Sequence, residues 1–152
     1  MEEKREMLVT AIKDGTVIDH IPAEKLFEVV SILGLEGLDK EITIGNNLKS
    51  KKFGRKGIIK ISDCFFAQED LNRIAIVAPQ AKVNIIRNFE VTEKRVLEIP
   101  DEIAGLVRCV NPKCITNNEP MTPRYRVVGR SPLQLKCRYC EREMSAAEIK
   151  LL

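Results

Sequence analysis

Four cysteines near the C-terminus have the residue type and spacing to hold a metal ion. Four residues separate Cys109 from Cys114, two separate Cys137 from Cys140, and 22 lie between the two pairs. Two tight knuckles joined by enough chain for a hairpin are typical of a tetrahedral four-thiolate zinc site. Because four protein ligands leave no position for a substrate, one structural Zn²⁺ is predicted. Four unrelated thiols or two disulfides are the alternative interpretation.

Cys64 and the single histidine, His20, are the other candidates for chemistry. Cys64 precedes Phe65 and Phe66, and this apolar setting predicts a buried structural thiol rather than a nucleophile. Asp19 and His20 can form a polar pair at the rim of a site. The sequence indicates no third residue to orient a Cys–His pair, and it contains no standard nucleotide-hydrolase, dinucleotide or hydrolase motif. A non-catalytic binding chain is therefore predicted, with a Cys64-dependent enzyme as one alternative.

Charge is distributed unevenly along the chain, whose formal net charge is +3. Residues 42–62 contain no Asp or Glu. This segment carries the cations Lys49, Lys51, Lys52, Arg55, Lys56 and Lys60. Charge alone favours a solvated hairpin tip over a polyphosphate-binding loop. The charged N-terminus and the short apolar runs predict a cytoplasmic protein that does not span a membrane.

Apolar periodicity in the first hundred residues predicts a βαββαβ order. A helix is expected from Pro22 to about Leu33, with Gly34 as its stop, and a second helix over 68–78. The predicted extended segments are 7–13, 16–19, 41–48, 57–63, 82–87 and 89–96, with a turn at Asp14–Gly15. This order is typical of a ferredoxin-like antiparallel sheet with two helices on one face.

Pro100–Asp101 marks a predicted boundary between domains 1–100 and 101–152. Strands are expected at 124–128 and 133–137, and Ser145 and Glu148 have the spacing of a capping box. About 50 residues bury too little surface to fold alone, so zinc binding is predicted to be a condition of folding. The predicted fold class is α+β, with a C-terminal all-β zinc ribbon of rubredoxin-like type.

Several short strings, in order and across both domains, carry a family resemblance. They are Gly15–Pro22 (GTVIDHIP), Ile42–Gly45, Gly54–Lys56, Ile59–Ile61, Ala78–Ala81, Val83–Asn84 and the cysteine quartet. Together they resemble the regulatory chain of prokaryotic aspartate carbamoyltransferase from about Met7 to the C-terminus. The resemblance implies that the basic segment faces a nucleotide.

This resemblance implies a non-catalytic subunit of de novo pyrimidine biosynthesis. Its N-terminal domain would bind CTP, ATP and UTP, with Mg²⁺ as a candidate companion ion, and its zinc domain would dock on the catalytic chain. Regulatory homodimers would bridge catalytic trimers in a dodecamer of six catalytic and six regulatory chains. In the family, CTP inhibits, ATP activates and UTP reinforces CTP.

The resemblance also assigns a role to each residue of the nucleotide site. The backbone of Val9, Thr10, Ala11 and Ile12 would read the base. Asp19 would accept from ribose hydroxyls, and Lys60 would reach base and ribose. The phosphate contacts would come from His20, Asn84 and Lys94, with Lys56 nearby. Val17, Ile86, Phe89 and Val91 would line the walls.

Three positions depart from the family's best-known members, which have Glu, Tyr and Asn where this chain has Thr10, Phe89 and Lys113. The difference at Thr10 concerns which nucleotide the family resemblance would imply as the preferred effector. The difference at Lys113 concerns how the zinc domain would dock on the catalytic chain. Asn111 and Arg142, together with Lys113, are expected at the catalytic-chain interface.

A zinc-ribbon nucleic-acid-binding accessory protein is the main rival hypothesis. Its support is the run of arginines in the ribbon, Arg124, Arg126, Arg130 and Arg138. The modest net charge and the few aromatic residues argue against it.

Overall fold

The structure is a computed structural model that describes residues 11–152. The chain forms two compact units, Met1–Glu98 and Ile99–Leu152. None of the helices within residues 11–152 is long and apolar enough to cross a bilayer.

The first unit is built on a five-stranded antiparallel sheet in the order β2-β3-β1-β4-β5. Its strands are β1 (Gly15–Pro22), β2 (Ile42–Ser50), β3 (Gly54–Ser62), β4 (Lys82–Arg87) and β5 (Glu90–Arg95). The predicted antiparallel sheet with two helices is confirmed. The β2–β3 hairpin is longer than predicted, so that its turn is only Lys51–Phe53 and part of the basic segment belongs to the strands.

The two helices are shorter than predicted and are continued by 3₁₀ turns. Helix α1 spans Leu26–Ile32, between 3₁₀ turns at Ala23–Lys25 and Leu35–Gly37, and α2 spans Gln68–Asn72, followed by a 3₁₀ turn at Arg73–Ile76. Pro22 is the last residue of β1 rather than the first residue of the helix. Gly34 ends α1 as expected, because its φ of 62° is a left-handed conformation that suits glycine.

Strand β1 contains the short extended piece that was predicted at 16–19. Residues 11–14 form no strand, and positions 7–10 of the predicted strand lie outside the described residues. Gly15 begins β1 with a φ of 144°, and a Cβ at this position would lie 2.1 Å from the carbonyl oxygen of Ile61. Glycine is thus needed here for the close approach of β1 to β3 rather than for the predicted turn.

Both helices pack on one face of the sheet. The core between them contains fully buried aliphatic side chains of the sheet and of both helices: Ile18, Ile21, Leu26, Val29, Ile59, Ile61, Leu71 and Ile74. Leu33, just after α1, is only partly buried at the edge of this core. We call the opposite side of the sheet, on which neither helix packs, the far face.

The second unit is a small β domain with short strands. Its four-stranded sheet has the order β10-β9-β8-β6, and β11 pairs with β7. The strands are β6 (Glu102–Ala104), β7 (Val107–Arg108), β8 (Arg124–Arg130), β9 (Leu133–Cys137), β10 (Glu143–Ser145) and β11 (Lys150–Leu151), with α3 at Ile115–Asn118. Tyr125 is fully buried, and its hydroxyl donates to the Val107 carbonyl at 2.8 Å. The predicted capping box forms, since the Ser145 N–H donates to Glu148 Oε1 at 3.0 Å.

Candidate metal centre and nucleotide-binding face

Four cysteine Sγ atoms of the second unit converge on one point. Cys109 follows β7, Cys114 precedes α3, Cys137 ends β9, and Cys140 lies in the turn before β10. All four Sγ atoms lie within 4.8 Å of one another. The structure therefore brings together the quartet that the spacing predicted.

The distances between these sulfur atoms suit a metal and not disulfides. Cys109 Sγ is 3.6 Å from Cys140 Sγ, and Cys114 Sγ is 3.7 Å from Cys137 Sγ. A disulfide needs about 2.0 Å. Tetrahedral zinc with Zn–S bonds of about 2.3 Å places its thiolates about 3.8 Å apart. The alternative of two disulfides is therefore wrong, and the four thiols fit a closed structural zinc site.

Burial and hydrogen bonds together determine the pKa values of these thiols. Burial raises the pKa of Cys109 to about 12 and also raises the pKa of Cys137. Burial acts in the same direction on Cys140, but hydrogen bonds from the Arg142 N–H and the Asn111 side chain outweigh it and lower that pKa. Thiols with raised pKa values are protonated at neutral pH, so zinc must displace protons as it binds.

Two asparagines of α3 hold the first knuckle in shape. Asn117 Nδ2 donates to the carbonyls of Cys109, at 2.9 Å, and of Asn111, at 2.8 Å. Asn118 Nδ2 donates to the Cys114 carbonyl at 2.8 Å. These contacts fix the backbone that aims two of the thiols. The spacing of the cysteines gives no sign of these amides.

Four predicted nucleotide-binding residues form one row across the sheet of the first unit. Val17 of β1 pairs with Lys60 of β3 and with Asn84 of β4, and Asn84 pairs with Lys94 of β5. Residues paired across strands point to the same face. Because the next residue of β1, Ile18, is fully buried on the helix side, this row lies on the far face. We call it the cross-strand row.

A second polar group lies at a bulge of β1. The register shifts between Ile18 and Ile21, and His20 has a φ of 58°. Asp19 Oδ1 accepts from the His20 N–H at 2.6 Å and from Lys56 Nζ at 2.9 Å. The predicted Asp19–His20 pair is present, with His20 Nδ1 3.6 Å from Asp19 Oδ2.

The His20 imidazole is surrounded by cations. Burial lowers its pKa below the usual 6.5, and Lys56 and Lys82 lower it further, while Asp19 opposes them. Lys82 pairs with Asp19 across β1 and β4 but was not predicted for the site. Its position two residues before Asn84 in the same strand was the available signal, because residues at this spacing share a face.

The predicted wall residues differ in exposure. Ile86 is buried, and it pairs with the exposed Val91 of β5. Phe89 is 66% exposed, and its N–H donates to the Lys13 carbonyl at 2.9 Å. The predicted base-reading segment is only partly covered, since Val9 and Thr10 lie outside the described residues. Its remaining members are an exposed Ala11 and a buried Ile12.

Cys64 is half-buried, whereas a buried thiol was predicted. It packs at the edge of the helix-side core because the chain leaves the sheet there, after β3. Partial burial nevertheless raises its pKa, which is the opposite of what a nucleophilic thiol requires.

The three predicted interface residues lie in the two cysteine knuckles. Asn111 Oδ1 accepts from the Lys113 N–H at 3.0 Å, and the side chains of Lys113 and Arg142 are exposed. In the same unit, Arg138 pairs with Glu102 and Arg130 pairs with Asp101. Half of the ribbon arginines are thus paired with carboxylates, which weakens the case for a nucleic-acid surface.

Comparisons with known proteins cover both units. Residues 7–98 match the model of the aspartate carbamoyltransferase regulatory chain, allosteric domain, and residues 101–150 match that of its metal binding domain. Curated regulatory chains of this enzyme are similar along almost their whole length. The identity is 59% over 150 residues in Porphyromonas gingivalis, covering 99% of both chains. In Pyrococcus furiosus it is 50% over 146 residues, covering 95% of this chain and 96% of the relative.

These matches extend over the cysteine quartet and over the sheet that carries the cross-strand row. The chain belongs to the family of aspartate carbamoyltransferase regulatory chains.

Proposed function

We propose that the far face of the first unit binds nucleoside triphosphates and that this binding controls the catalytic partner. As a regulatory chain of aspartate carbamoyltransferase, the protein is non-catalytic and associates with catalytic chains. Its allosteric and metal-binding domains imply allosteric regulation of pyrimidine biosynthesis. The proposal adds the location of the effector and the residues that hold it.

The cross-strand row is the observation that carries this proposal. Lys60 and Lys94 lie at its two ends, with Val17 and Asn84 between them. Strands about 4.8 Å apart place the backbones of these lysines about 14 Å from each other. Two lysines at this backbone separation, with an amide and an apolar side chain between them, suit an elongated anion that carries a flat base.

The bulge of β1 supplies the second part of the proposed site. His20 Nδ1 is buried and, at 3.6 Å from Asp19 Oδ2, forms no hydrogen bond within residues 11–152, and Lys56 and Lys82 lie near the imidazole. A buried nitrogen without a hydrogen bond is costly, and a phosphate oxygen would supply one. We assign the phosphates to His20, Lys56 and Lys94, with Asn84 as a further donor, and the ribose to Asp19 and Lys60.

The effectors that we propose for this site are CTP, ATP and UTP. Base discrimination is assigned to the backbone of Val9–Ile12, and Ile86, Phe89 and Val91 are assigned to the walls. Mg²⁺ is assigned as a companion ion of the triphosphate, which supplies oxygen ligands of the kind that magnesium prefers.

The proposed division of labour is 1–100 for effector binding and 101–152 for docking on the catalytic chain. Asn111, Lys113 and Arg142 lie on exposed knuckles and are assigned to that interface. We further propose a cytoplasmic dodecamer of six catalytic and six regulatory chains, in which regulatory homodimers link catalytic trimers. An effector acts in such an assembly only through different affinities for its two quaternary states.

Calorimetric titration of CTP into the zinc-loaded chain tests the effector site. Lys94→Ala is expected to weaken binding by about tenfold or more, because it removes a charged phosphate contact. Lys51→Ala, in the exposed turn of the same sheet, serves as the matched control and is expected to bind like the unaltered chain. Equal affinity in both variants would remove Lys94 from the site, and the absence of any CTP binding would refute the proposed function.

A further inference from the structure

Lys82 extends the polar surface of the far face beyond the cross-strand row. It lies two residues before Asn84 in β4, and it pairs with Asp19 of β1. Residues two apart in a strand point to the same face and lie about 7 Å from each other. Lys82 therefore projects from the far face next to the row, on the side of the β1 bulge.

The ammonium group of Lys82 is not neutralised by a carboxylate of the described chain. Asp19, which Lys82 faces across the strands, already accepts at Oδ1 from Lys56 Nζ at 2.9 Å and from the His20 N–H at 2.6 Å. Lys82 is exposed and takes part in no ion pair with any residue from 11 to 152. It is thus a cation that remains available to a ligand.

The lysines around Asp19 favour a ligand with several negative charges. Lys56 of β3 and Lys82 of β4 lie on either side of Asp19, and Lys60 and Lys94 lie at the ends of the neighbouring row. Like charges gathered on one face repel one another, and a polyanion relieves this repulsion. The third phosphate of a nucleotide brings the extra negative charge that a fourth lysine can match.

We propose that Lys82 binds the terminal phosphate of the effector and makes the site select triphosphates over diphosphates and monophosphates. The phosphate chain then runs from Asn84 and Lys94 towards the bulge, and its last group lies between His20 and Lys82. Lys82 is thereby a specificity-determining residue. The inference deepens the proposed function and rests on it, because it presupposes a nucleotide on the far face.

The position of Lys82 outside the row is what makes the length of the phosphate chain matter. A shorter phosphate chain can satisfy Asn84 and Lys94 but ends before Lys82, which lies about 7 Å farther along β4. Such a ligand forgoes one charge-assisted contact that CTP makes. Affinity should therefore increase from CDP to CTP by an amount that depends on Lys82.

Calorimetric titration of CTP, CDP and CMP into the zinc-loaded full chain tests this selectivity. Lys82→Met removes the ammonium group at similar side-chain length, whereas Lys82→Arg keeps the positive charge. Lys40→Met is the matched control, because Lys40 is also exposed but lies near Cys64, at the edge of the helix-side core.

Lys82→Met is expected to weaken CTP binding about five- to tenfold, since it removes one charged phosphate contact. CDP and CMP are expected to bind this variant within about twofold of the unaltered chain, so the preference for CTP over CDP should fall. Lys82→Arg and Lys40→Met are expected to keep that preference. Because Lys82 is exposed, its variants are expected to unfold at the same temperature as the unaltered chain.

An unchanged ratio of CTP to CDP affinity in Lys82→Met would overturn the inference. An equal loss of affinity for all three nucleotides would also overturn it, because Lys82 would then contact a phosphate that they share or act through Asp19 on the ribose. If the unaltered chain binds no CTP, the proposed function itself fails and the inference falls with it. If CTP binding depends on Lys94 while Lys82→Met leaves the ratio unchanged, only the inference fails.

Discussion

Lys56 Nζ lies 2.9 Å from Oδ1 of Asp19, and this ion pair ties the β2–β3 hairpin to the bulge of β1. Both side chains are only about one-fifth exposed, at 21% and 19%. The same carboxylate oxygen accepts from the His20 N–H. One acidic side chain thus orients the bulge and a cation of the proposed phosphate site together.

Lys56→Met should weaken CTP binding by about tenfold, because it removes a positive charge of the proposed phosphate site. Cytidine, which lacks phosphates, should bind this variant and the unaltered chain equally well. Calorimetric titration of both ligands at two salt concentrations would show this difference, with a weaker salt dependence for CTP in the variant. A similar loss for cytidine and CTP would instead mean that Lys56 acts through Asp19 on the ribose.

Affinity for CTP should rise as the pH falls from about 8 to about 6. The free His20 imidazole has a pKa below 6.5, because it is partly buried and near lysines, so it is neutral at pH 7. A triphosphate beside it favours the charged imidazolium and raises this pKa. The bound state then holds more protons than the free state, and binding is tightened by acid, by at most about tenfold per pH unit.

Calorimetry in buffers of different ionisation enthalpy measures this proton uptake. His20→Gln should remove the uptake associated with His20 and flatten the pH profile in this range. An unchanged proton count in His20→Gln would exclude His20 from the phosphate contacts.

Removal of zinc should unfold the second unit and release the catalytic chains. The unit contains only residues 99–152, and structural zinc contributes about 10–16 kcal/mol of apparent binding free energy in small domains. In the zinc-loaded chain only Cys64 should react with a thiol reagent, and in the chelated chain all five cysteines should react. Sedimentation of the chelated holoenzyme should show free catalytic trimers without a CTP response. A chelated assembly of unchanged mass that still responds to CTP would contradict the proposed docking role.

Tyr125→Phe should destabilise the second unit by about 1–3 kcal/mol, because the Val107 carbonyl then loses its donor in a buried setting. Val107 lies two residues before Cys109, so this cost should appear as weaker zinc binding of about tenfold or more. Competition with a chromogenic chelator measures the zinc affinity. Tyr139→Phe is the control, at a residue of the second knuckle that is 43% exposed. Equal zinc affinity in the two variants would show that the Val107 contact does not support the knuckle.

The sequence predicted the zinc quartet because ligand type and spacing follow from tetrahedral thiolate chemistry. It also predicted both helices and the long strands, since these follow from apolar periodicity. It did not predict that β1 begins at Gly15, because Gly15 looked like a turn residue and its close approach to Ile61 depends on a distant part of the chain. The sequence also did not predict the 3₁₀ turns that continue α1 and α2, because they depend on packing rather than on local propensity.

The register of the sheet could not be read from periodicity. A bulge such as that at His20 changes which face the following residues occupy, and alternation of apolar side chains does not reveal it in advance. The family resemblance therefore implied Lys60, Val17, Asn84 and Lys94 one by one. Only the pairing of the strands shows that the four residues form one row. Lys82 was missed although its spacing from Asn84 already placed it on the same face.

The cross-strand row has a mechanical consequence, because each of its four residues comes from a different strand. Neighbouring strands of a sheet are rotated by about 20–25° relative to one another, and a small change in this twist moves the outer strands most. A ligand that spans from Lys60 to Lys94 would therefore be sensitive to the twist between the strands. Its affinity would vary with this twist. Because binding and conformation are thermodynamically linked, ligand binding would in turn change the twist. The sheet itself, usually regarded as a rigid scaffold, would then be the element that responds to the ligand.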